Sequence, residues 1–409
     1  MLRLSRARFL QLFGAGFSTA LWAQTSAPSN STSRRISELI AAFDAQGIHR
    51  TATVIDNTSA DWLRRLAEMA GGETRLMSFA LNRIDPIAAR LTAEGRTIEG
   101  LPFFDGGFTN ETGITGRLGT DSSADIALVI LDQPAILTEG ESIAALRRQA
   151  SLRGIVAVTT GGFPGLVPSN ARSFAQPFGV PVLQVGSEHQ AFLTRIAARG
   201  APITVVAAAT RTPSRASNVV ANVSGMQANL APLVVMTPRS GWWQCASERG
   251  GGLACWIETL RAVSAAKPAR EVIFLASSGH ELGHYGLDAF LRERPELIKG
   301  ARAWIHLGAS IGAAGGQMRI QASDDAIEES TLRALEKAGA SIAIRVPRGT
   351  VPLGEARNIH TDGGRYVSLL GNSPHFHTQQ DRWPGAVDVD AIARFAEGVS
   401  SLAVALAHG

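Results

Sequence analysis

Residues Val272–Phe290 read VIFLASSGHELGHYGLDAF. A short apolar run meets a Ser-Ser-Gly break, and a helix-like segment then carries His280, Glu281 and His284. A buried strand that delivers polar side chains at its carboxyl end is the usual geometry of a site in an open α/β sheet. The stretch therefore predicts an α/β fold with a functional site at the end of this strand.

The pentapeptide from His280 to His284 matches the pattern H-E-x-x-H. On one helix face this pattern gives two imidazoles to zinc and a glutamate to water. Gly279 and Gly283 flank and interrupt the motif, so a helix here would begin late. An endopeptidase built on this motif would lose its metal on substitution of His284→Ala and keep it on substitution of His377→Ala.

The wider segment FLASSGHELGHYGLDAFL resembles the G-E-E-x-G-x-x-G-S segment of the secreted zinc aminopeptidases, relatives of glutamate carboxypeptidase, glutaminyl cyclase and the transferrin receptor. The resemblance is colinear from about Ile48 to the C-terminus. It includes a run from Val180 to Glu188 that is similar to a protease-associated insert. The resemblance implies an α/β domain with a mixed, mostly parallel sheet, helices on both faces, and a smaller β-rich inserted domain.

Changes in pattern along the chain predict the domain organisation. The aminopeptidase-like domain is predicted at residues 34–115 and 212–409, and the protease-associated insert at residues 116–211. Strands that alternate with helices after the insert favour a mostly parallel or mixed sheet covered on both faces.

The first 24 residues have the pattern of an export signal. Arg3, Arg6 and Arg8 precede an apolar run, and a tract rich in Ser, Thr and Asn follows it. Ala7 separates two of the arginines, which leaves the twin-arginine and the general secretory routes both open. A signal peptide at residues 1–24 predicts a periplasmic or secreted protein.

Composition limits the partners. The net charge of +4 over 409 residues comes without a basic block, so nucleic-acid binding gains no support. The apolar run near the N-terminus is short and interrupted, so no stable membrane span is expected after signal removal. Cys245 and Cys255 are the only cysteines. They would form a disulfide or remain two separate buried thiols.

The resemblance also implies a reduced metal centre. At the family's metal-ligand positions, Glu248, Glu281 and His377 keep side chains that bind metals, while Thr237 and Gly308 replace ligands of the second ion. Two carboxylates, one imidazole and a water make a sound zinc site with an open position. The resemblance thus implies one zinc ion bound by Glu248, Glu281 and His377.

Two catalytic roles follow from the same comparison. His280 stands at the position of the family's general base and would move a proton, because imidazole titrates near neutral pH. Arg239 stands in place of an aspartate and would hold a substrate carboxylate or a developing oxyanion. The candidate substrate-binding residues are Trp242, Trp243, Asp362 and His375.

The sequence therefore predicts an exported hydrolase that acts on a peptide or amide bond of a small substrate with a single zinc. Two other hypotheses stay open. If Arg239 pairs with Glu248 and occupies the volume of the ion, the chain is a metal-free, non-catalytic binding protein of the same fold. A metal-independent enzyme would use His280 and Arg239.

Overall fold

A computed structural model describes residues 31–121, 123–138 and 140–409, so the predicted export signal lies outside the described residues. The helices are α1 Ser31–Ala45, α2 Val54–Met69, α3 Gln133–Leu137, α4 Ala144–Arg147, α5 Gln190–Ala198, α6 Gly250–Ala266, α7 Tyr285–Glu293, α8 Leu297–Gly300, α9 Asp325–Lys337, α10 Ala356–Thr361 and α11 Val389–His408. The strands are β1 Glu73–Ala93, β2 Arg96–Glu99, β3 Leu101–Pro102, β4 Ile114–Gly119, β5 Ile126–Leu131, β6 Gly154–Thr159, β7 Val182–Gly186, β8 Pro202–Val223, β9 Leu233–Pro238, β10 Val272–Ser277, β11 Ala303–Leu307, β12 Met318–Ala322, β13 Ile344–Arg345 and β14 Tyr366–Gly371.

Within these ranges the strands form one hydrogen-bonded sheet. Its order is β13-β12-β14-β11-β9-β10-β8-β4-β5-β6-β7-β3, and β1 pairs with β2 and β8 off this path. The centre is parallel, because β9 pairs in parallel with β10 and β11, and β11 with β14. On either side of this centre, β8 pairs antiparallel with β10, and β12 pairs antiparallel with β14. The predicted α/β fold with a mixed, mostly parallel sheet is confirmed.

Helices cover both faces of the central strands because the strand residues alternate between two apolar cores. Val235 and Ile305 face one core, together with residues of α6 and α11. Val234 and Trp304 face the other, together with residues of α7 and α10. Because alternate side chains face two different apolar cores, almost every position of a central strand is buried. The central strands therefore read as continuous apolar runs in the sequence.

The N-terminus of α6 approaches the sheet closely. A Cβ on Gly251 would lie 1.9 Å from the carbonyl oxygen of Ile311, so only glycine permits this contact. The close approach sets the position of Glu248, two residues before the helix begins.

Two long antiparallel strands connect the central sheet with the rest of the molecule. β1 and β8 pair along most of their length, with a register shift between Pro86 and Ala88. Strands β4 to β7 attach to this ribbon as part of the same sheet, and the apolar cluster beneath them includes Leu91 and Val205 of the ribbon itself. A separate inserted β domain is therefore not evident, and the boundaries at 116 and 211 stay predictions.

Cys245 and Cys255 are both buried and both free, so the alternative of two separate thiols is the one that the structure contains. In the part of the chain that the structure describes, no helix has the length and apolar character needed to cross a bilayer.

Candidate functional site

A cavity of about 150 Å³ opens at the carboxyl ends of β10, β11 and β14. We call it the central cavity. Its polar lining includes His280, His306, Glu355, Arg319 and His377. Its apolar lining comes from Ile136, Leu137, Leu353, Leu370 and Phe376. A concave apolar pocket with a few convergent polar groups is the usual form of a small-molecule site.

The turn after β10 points His280 into this cavity. Gly279 has a φ of 84°, a short 3₁₀ turn spans His280–Leu282, and Gly283 has a φ of 71°. His284 has a φ of 67° and directly precedes α7, which begins only at Tyr285. The H-E-x-x-H pentapeptide therefore does not lie on one helix, as expected from its glycines.

Glu355 joins two of the cavity histidines. His280 Nδ1 lies 2.8 Å from Glu355 Oε1, and His306 Nε2 lies 3.3 Å from Glu355 Oε2. Burial raises the pKa of the Glu355 carboxyl, but His280, His284 and the two imidazole hydrogen bonds outweigh that effect and hold its pKa well below the usual range. The carboxylate is therefore charged and is aimed at the imidazoles.

His280, His284 and Glu355 together form a set of possible metal donors, which we call the histidine–glutamate cluster. One donor atom of each residue lies within 4.8 Å of the other two, and all three residues are buried. The ring centroids of His280 and His284 are 5.3 Å apart, and His284 Nδ1 lies 2.9 Å from Asn358 Oδ1. Two imidazoles and one carboxylate are a donor set that zinc accepts, with a fourth position left for water or substrate. The cluster could therefore hold a metal ion.

Two of the three predicted zinc ligands lie side by side. His377 Nε2 is 3.3 Å from Glu248 Oε1, without the angle of a hydrogen bond, and Glu248 Oε2 also lacks a hydrogen-bond partner. Glu281 is engaged elsewhere, because its two oxygens accept hydrogen bonds from the Thr51 amide and the Ser240 hydroxyl, each at 2.7 Å. The atoms of Glu248 and His377 that lack hydrogen-bond partners favour a bound ion, whereas the two hydrogen bonds to Glu281 disfavour Glu281 as a ligand. The set of Glu248, Glu281 and His377 therefore stays a prediction.

An arginine lies beside Glu248, but it is not the predicted one. Arg249 Nη2 donates to Glu248 Oε1 at 2.6 Å, and both side chains are buried. Arg239 instead contacts Asp56 Oδ1 at 2.7 Å and donates to the carbonyl oxygen of Ser217. The predicted Arg239–Glu248 pair is wrong, because the buried carboxylate of Asp56 takes the Arg239 guanidinium. Arg239 itself is fully buried and does not line the central cavity.

The charge on Glu248 is balanced locally. Burial raises the pKa of this carboxyl, while Arg249 and His377 lower it more strongly, so its pKa lies below the usual range. Asp381 accepts hydrogen bonds from the amides of Ser247 and Glu248, at 2.6 and 2.9 Å. Burial is the main cause that raises the pKa of Asp381 to about 7.

The four candidate substrate-binding residues have different surroundings. Trp242 is buried, packs edge-on against Phe104 and donates to Asn170 Oδ1 at 2.9 Å. Trp243 Nε1 donates to the carbonyl oxygen of His377 at 2.9 Å. The two tryptophans thus support the loops around the cavity.

The other two candidates lie outside the cavity lining. His375 is half-buried with its ring 4.8 Å from that of Phe163. Asp362 is exposed at the C-terminal end of α10, beside Lys299 and away from the central cavity. Glu355, which the sequence did not single out, is the carboxylate that lines the cavity, and it lies just before the first residue of α10.

Three solved structures similar to this chain share its fold. A zinc aminopeptidase from Bacillus subtilis is 16% identical over 91% of this chain and 93% of that chain, with a TM-score of 0.73. An aminopeptidase from Aneurinibacillus sp. is 14% identical over 92% and 94%, with a TM-score of 0.70. A peptidase precursor from Shewanella amazonensis is 13% identical over 92% and 95%, with a TM-score of 0.74. At these identities the similarity establishes the fold alone.

No protein-family model matches the chain, and no curated protein matches it.

Proposed function

We propose that the chain is a hydrolase of a peptide-like amide bond in a small substrate, and that one zinc ion held by His280, His284 and Glu355 serves the reaction. The observation that carries the proposal is the buried histidine–glutamate cluster, two members of which line the central cavity. The fold of zinc aminopeptidases supports the reaction class.

The zinc, when bound, would polarise the amide carbonyl and lower the pKa of a water molecule. The protein positions the donors. His306 holds the second oxygen of Glu355, and Asn358 holds His284 while donating to Asp288 at 2.6 Å. Partners of this kind fix the ring orientation and raise the affinity of a metal site.

The Glu248–His377 pair supplies a proton acceptor. His377 lines the cavity, and its Nε2 has no hydrogen bond, while its Nδ1 lies 2.6 Å from the carbonyl oxygen of Pro168. That carbonyl fixes the proton on Nδ1, so Nε2 is free to accept one from water. The adjacent Glu248 carboxylate would stabilise the imidazolium that forms. Water oxygen then bonds to the carbonyl carbon, and the C–N bond breaks as His377 returns its proton to the leaving nitrogen. The second proton of the water passes from the new carboxylic acid to the amine, so the products are a carboxylate and a protonated amine.

A second candidate function is a metal-free binding protein of the same fold. The Arg249–Glu248 ion pair favours it, since a guanidinium already balances the carboxylate that the family resemblance assigns to a metal. The predicted ligand set of Glu248, Glu281 and His377 is the alternative site for the metal.

Metal analysis of purified protein separates these candidates. We expect about one zinc per chain in the wild type and in Glu281→Gln, and less than about 0.2 in His284→Ala, because removal of one of three donors weakens a zinc site strongly. Less than about 0.2 zinc in the wild type after growth with added zinc would sink the hydrolase proposal. Full zinc in His284→Ala with loss in Glu281→Gln would return the metal to the predicted set.

The proposal includes export to the periplasm or the medium. It rests on the signal-like pattern of residues 1–24. Fractionation of producing cells tests it, since a protein retained at full length in the cytoplasm would contradict export.

A further inference from the structure

We infer that the central cavity selects substrates with a free carboxylate, and that Arg319 is the residue that binds it. The inference rests on the proposed function, because it names the substrate class of the same cavity. The substrate class is a dipeptide or an N-acyl amino acid with a free α-carboxylate.

Arg319 differs from the other arginines that the fold encloses. The buried guanidinium groups of Arg147, Arg239 and Arg249 each lie within 3.0 Å of a carboxylate oxygen, and that of Arg270 donates to two backbone carbonyl oxygens. In the described ranges no carboxylate lies within ion-pair distance of Arg319, and its buried Nε atom has no hydrogen-bond partner. A half-buried guanidinium without a counter-ion loses part of its solvation without an ion pair to offset the loss. A ligand anion would supply the missing partner.

The position of Arg319 suits this role. It lies on β12 opposite Leu370 of β14, and both residues line the central cavity. His280 and Glu355 of the histidine–glutamate cluster line the same cavity. A substrate would therefore place its amide at the cluster while its carboxylate meets the arginine.

The other residues that line the central cavity indicate which further features the substrate has. Guanidinium presents paired N–H donors that match both oxygens of a carboxylate. Leu353, Leu370 and Phe376 provide an apolar surface beside it. Glu355 is a fixed negative charge in the same cavity, so a carboxylate is accepted only where a cation offsets it. These features favour a small acid with an apolar side chain.

Binding of a matched pair of probes tests the inference. N-acetyl-L-leucine and N-acetyl-L-leucinamide differ only in the carboxylate, and both are titrated into the full-length protein by calorimetry. We expect the wild type to bind the acid about ten-fold more tightly than the amide, as one charge-assisted contact provides. The ratio should fall to about one in Arg319→Gln and recover in part in Arg319→Lys.

The control is Arg345→Gln. Arg345 lies on the neighbouring strand β13, its side chain is 62% exposed, and it pairs with Glu328 outside the cavity. This variant should keep the wild-type ratio. Equal binding of the two probes to the wild type, an unchanged ratio in Arg319→Gln, or no binding of either probe at about 10 mM would each overturn the inference.

Measurement of the zinc content distinguishes a failure of this inference from a failure of the proposed function. Arg319→Gln should hold as much zinc as the wild type, because Arg319 is not a donor of the cluster. A protein without zinc that still prefers the acid would defeat the hydrolase proposal and leave the carboxylate site. A protein with zinc and no preference would defeat the carboxylate site alone.

Discussion

Arg249 changes the electrostatics of the pocket that the sequence assigned to a metal. Its guanidinium is fully buried and lies 2.6 Å from Glu248, which is also buried. A buried ion pair contributes little net stability compared with a well-packed apolar pair, but removal of one partner leaves the other charge without compensation. The pair is therefore a sensitive point of the fold.

We expect Arg249→Met to lower the free energy of unfolding by about 3–5 kcal/mol, because Glu248 is left charged and buried with only His377 beside it. Addition of Glu248→Gln to this variant should restore part of the loss. Urea denaturation at pH 7 measures both. Arg333→Met is the matched control, since Arg333 is 67% exposed and its pair with Glu329 should be worth less than about 1 kcal/mol. A loss in Arg249→Met no larger than in this control would contradict the argument.

The connection between α1 and α2 contains a buried histidine that reports on pH. The His49 ring stacks on Phe43 with centroids 3.7 Å apart, and its Nε2 lies 2.9 Å from the carbonyl oxygen of Phe43. Burial, chiefly, lowers the pKa of His49 to about 4 from 6.5. The folded state therefore holds this imidazole neutral.

The pKa of His49 is lower in the folded state than in the unfolded state, and this difference sets the direction in which pH changes the stability. Above pH 6.5 His49 is neutral in both states and adds nothing, whereas below it the unfolded chain takes up a proton that the folded chain refuses. We expect His49 to remove roughly 3 kcal/mol of stability as the pH falls from 6.5 to 4, from about 1.4 kcal/mol per pKa unit. Denaturation at pH 7 and pH 4 should show a smaller loss in His49→Gln than in the wild type. His408→Gln, at an exposed position, should behave as the wild type.

Helices and strands whose apolar residues follow one clear spacing were predictable from the sequence, and the others were not. The apolar run that begins at Val272 predicted β10, which ends at Ser277, at the start of the Ser-Ser-Gly break. α2 begins at Val54 because Thr53 is its N-cap and accepts a hydrogen bond from the Asp56 amide. β1 was not predicted as one long strand, because few of its residues are buried and its pairing partner β8 lies far along the chain.

The sequence predicted several of the residues that lie at the site, but it did not predict which side chains contact each other there. The family resemblance grouped Glu248 and His377 in one site, and the structure places His377 Nε2 3.3 Å from Glu248 Oε1. The choice between Arg239 and Arg249 as the partner of Glu248 depends on side-chain direction, which spacing does not encode. Glu355 was missed because α10 is a short helix with no periodic pattern before it.

At the scale of the whole molecule, the site is covered by a segment from the region predicted as the insert. We call residues 160–178 the cover segment. Pro168 contributes the carbonyl oxygen near His377, Asn170 accepts from Trp242, and the Ala171 amide donates to the carbonyl oxygen of Glu281 at 2.8 Å. The site residues are thus held from two distant parts of the chain.

Gly162 lies where the cover segment meets the loop after β14. A Cβ at this position would be 2.3 Å from the carbonyl oxygen of Pro374, a backbone atom that cannot rotate away. We expect Gly162→Ala to push the two loops apart and to lower the free energy of unfolding by about 1–3 kcal/mol. Because His377 follows Pro374 and contacts the same segment, the variant should also bind N-acetyl-L-leucine less tightly than the wild type.

Urea denaturation and calorimetric titration measure the two effects in the same preparation. Gly385→Ala is the control, because a Cβ there meets nothing within 4 Å and its backbone needs no special conformation. This variant should match the wild type in both measurements. If Gly162→Ala also matched it, the contact between the cover segment and the Pro374 loop would not hold the site together. If it lost stability but kept its affinity, the segment would support the fold without shaping the cavity.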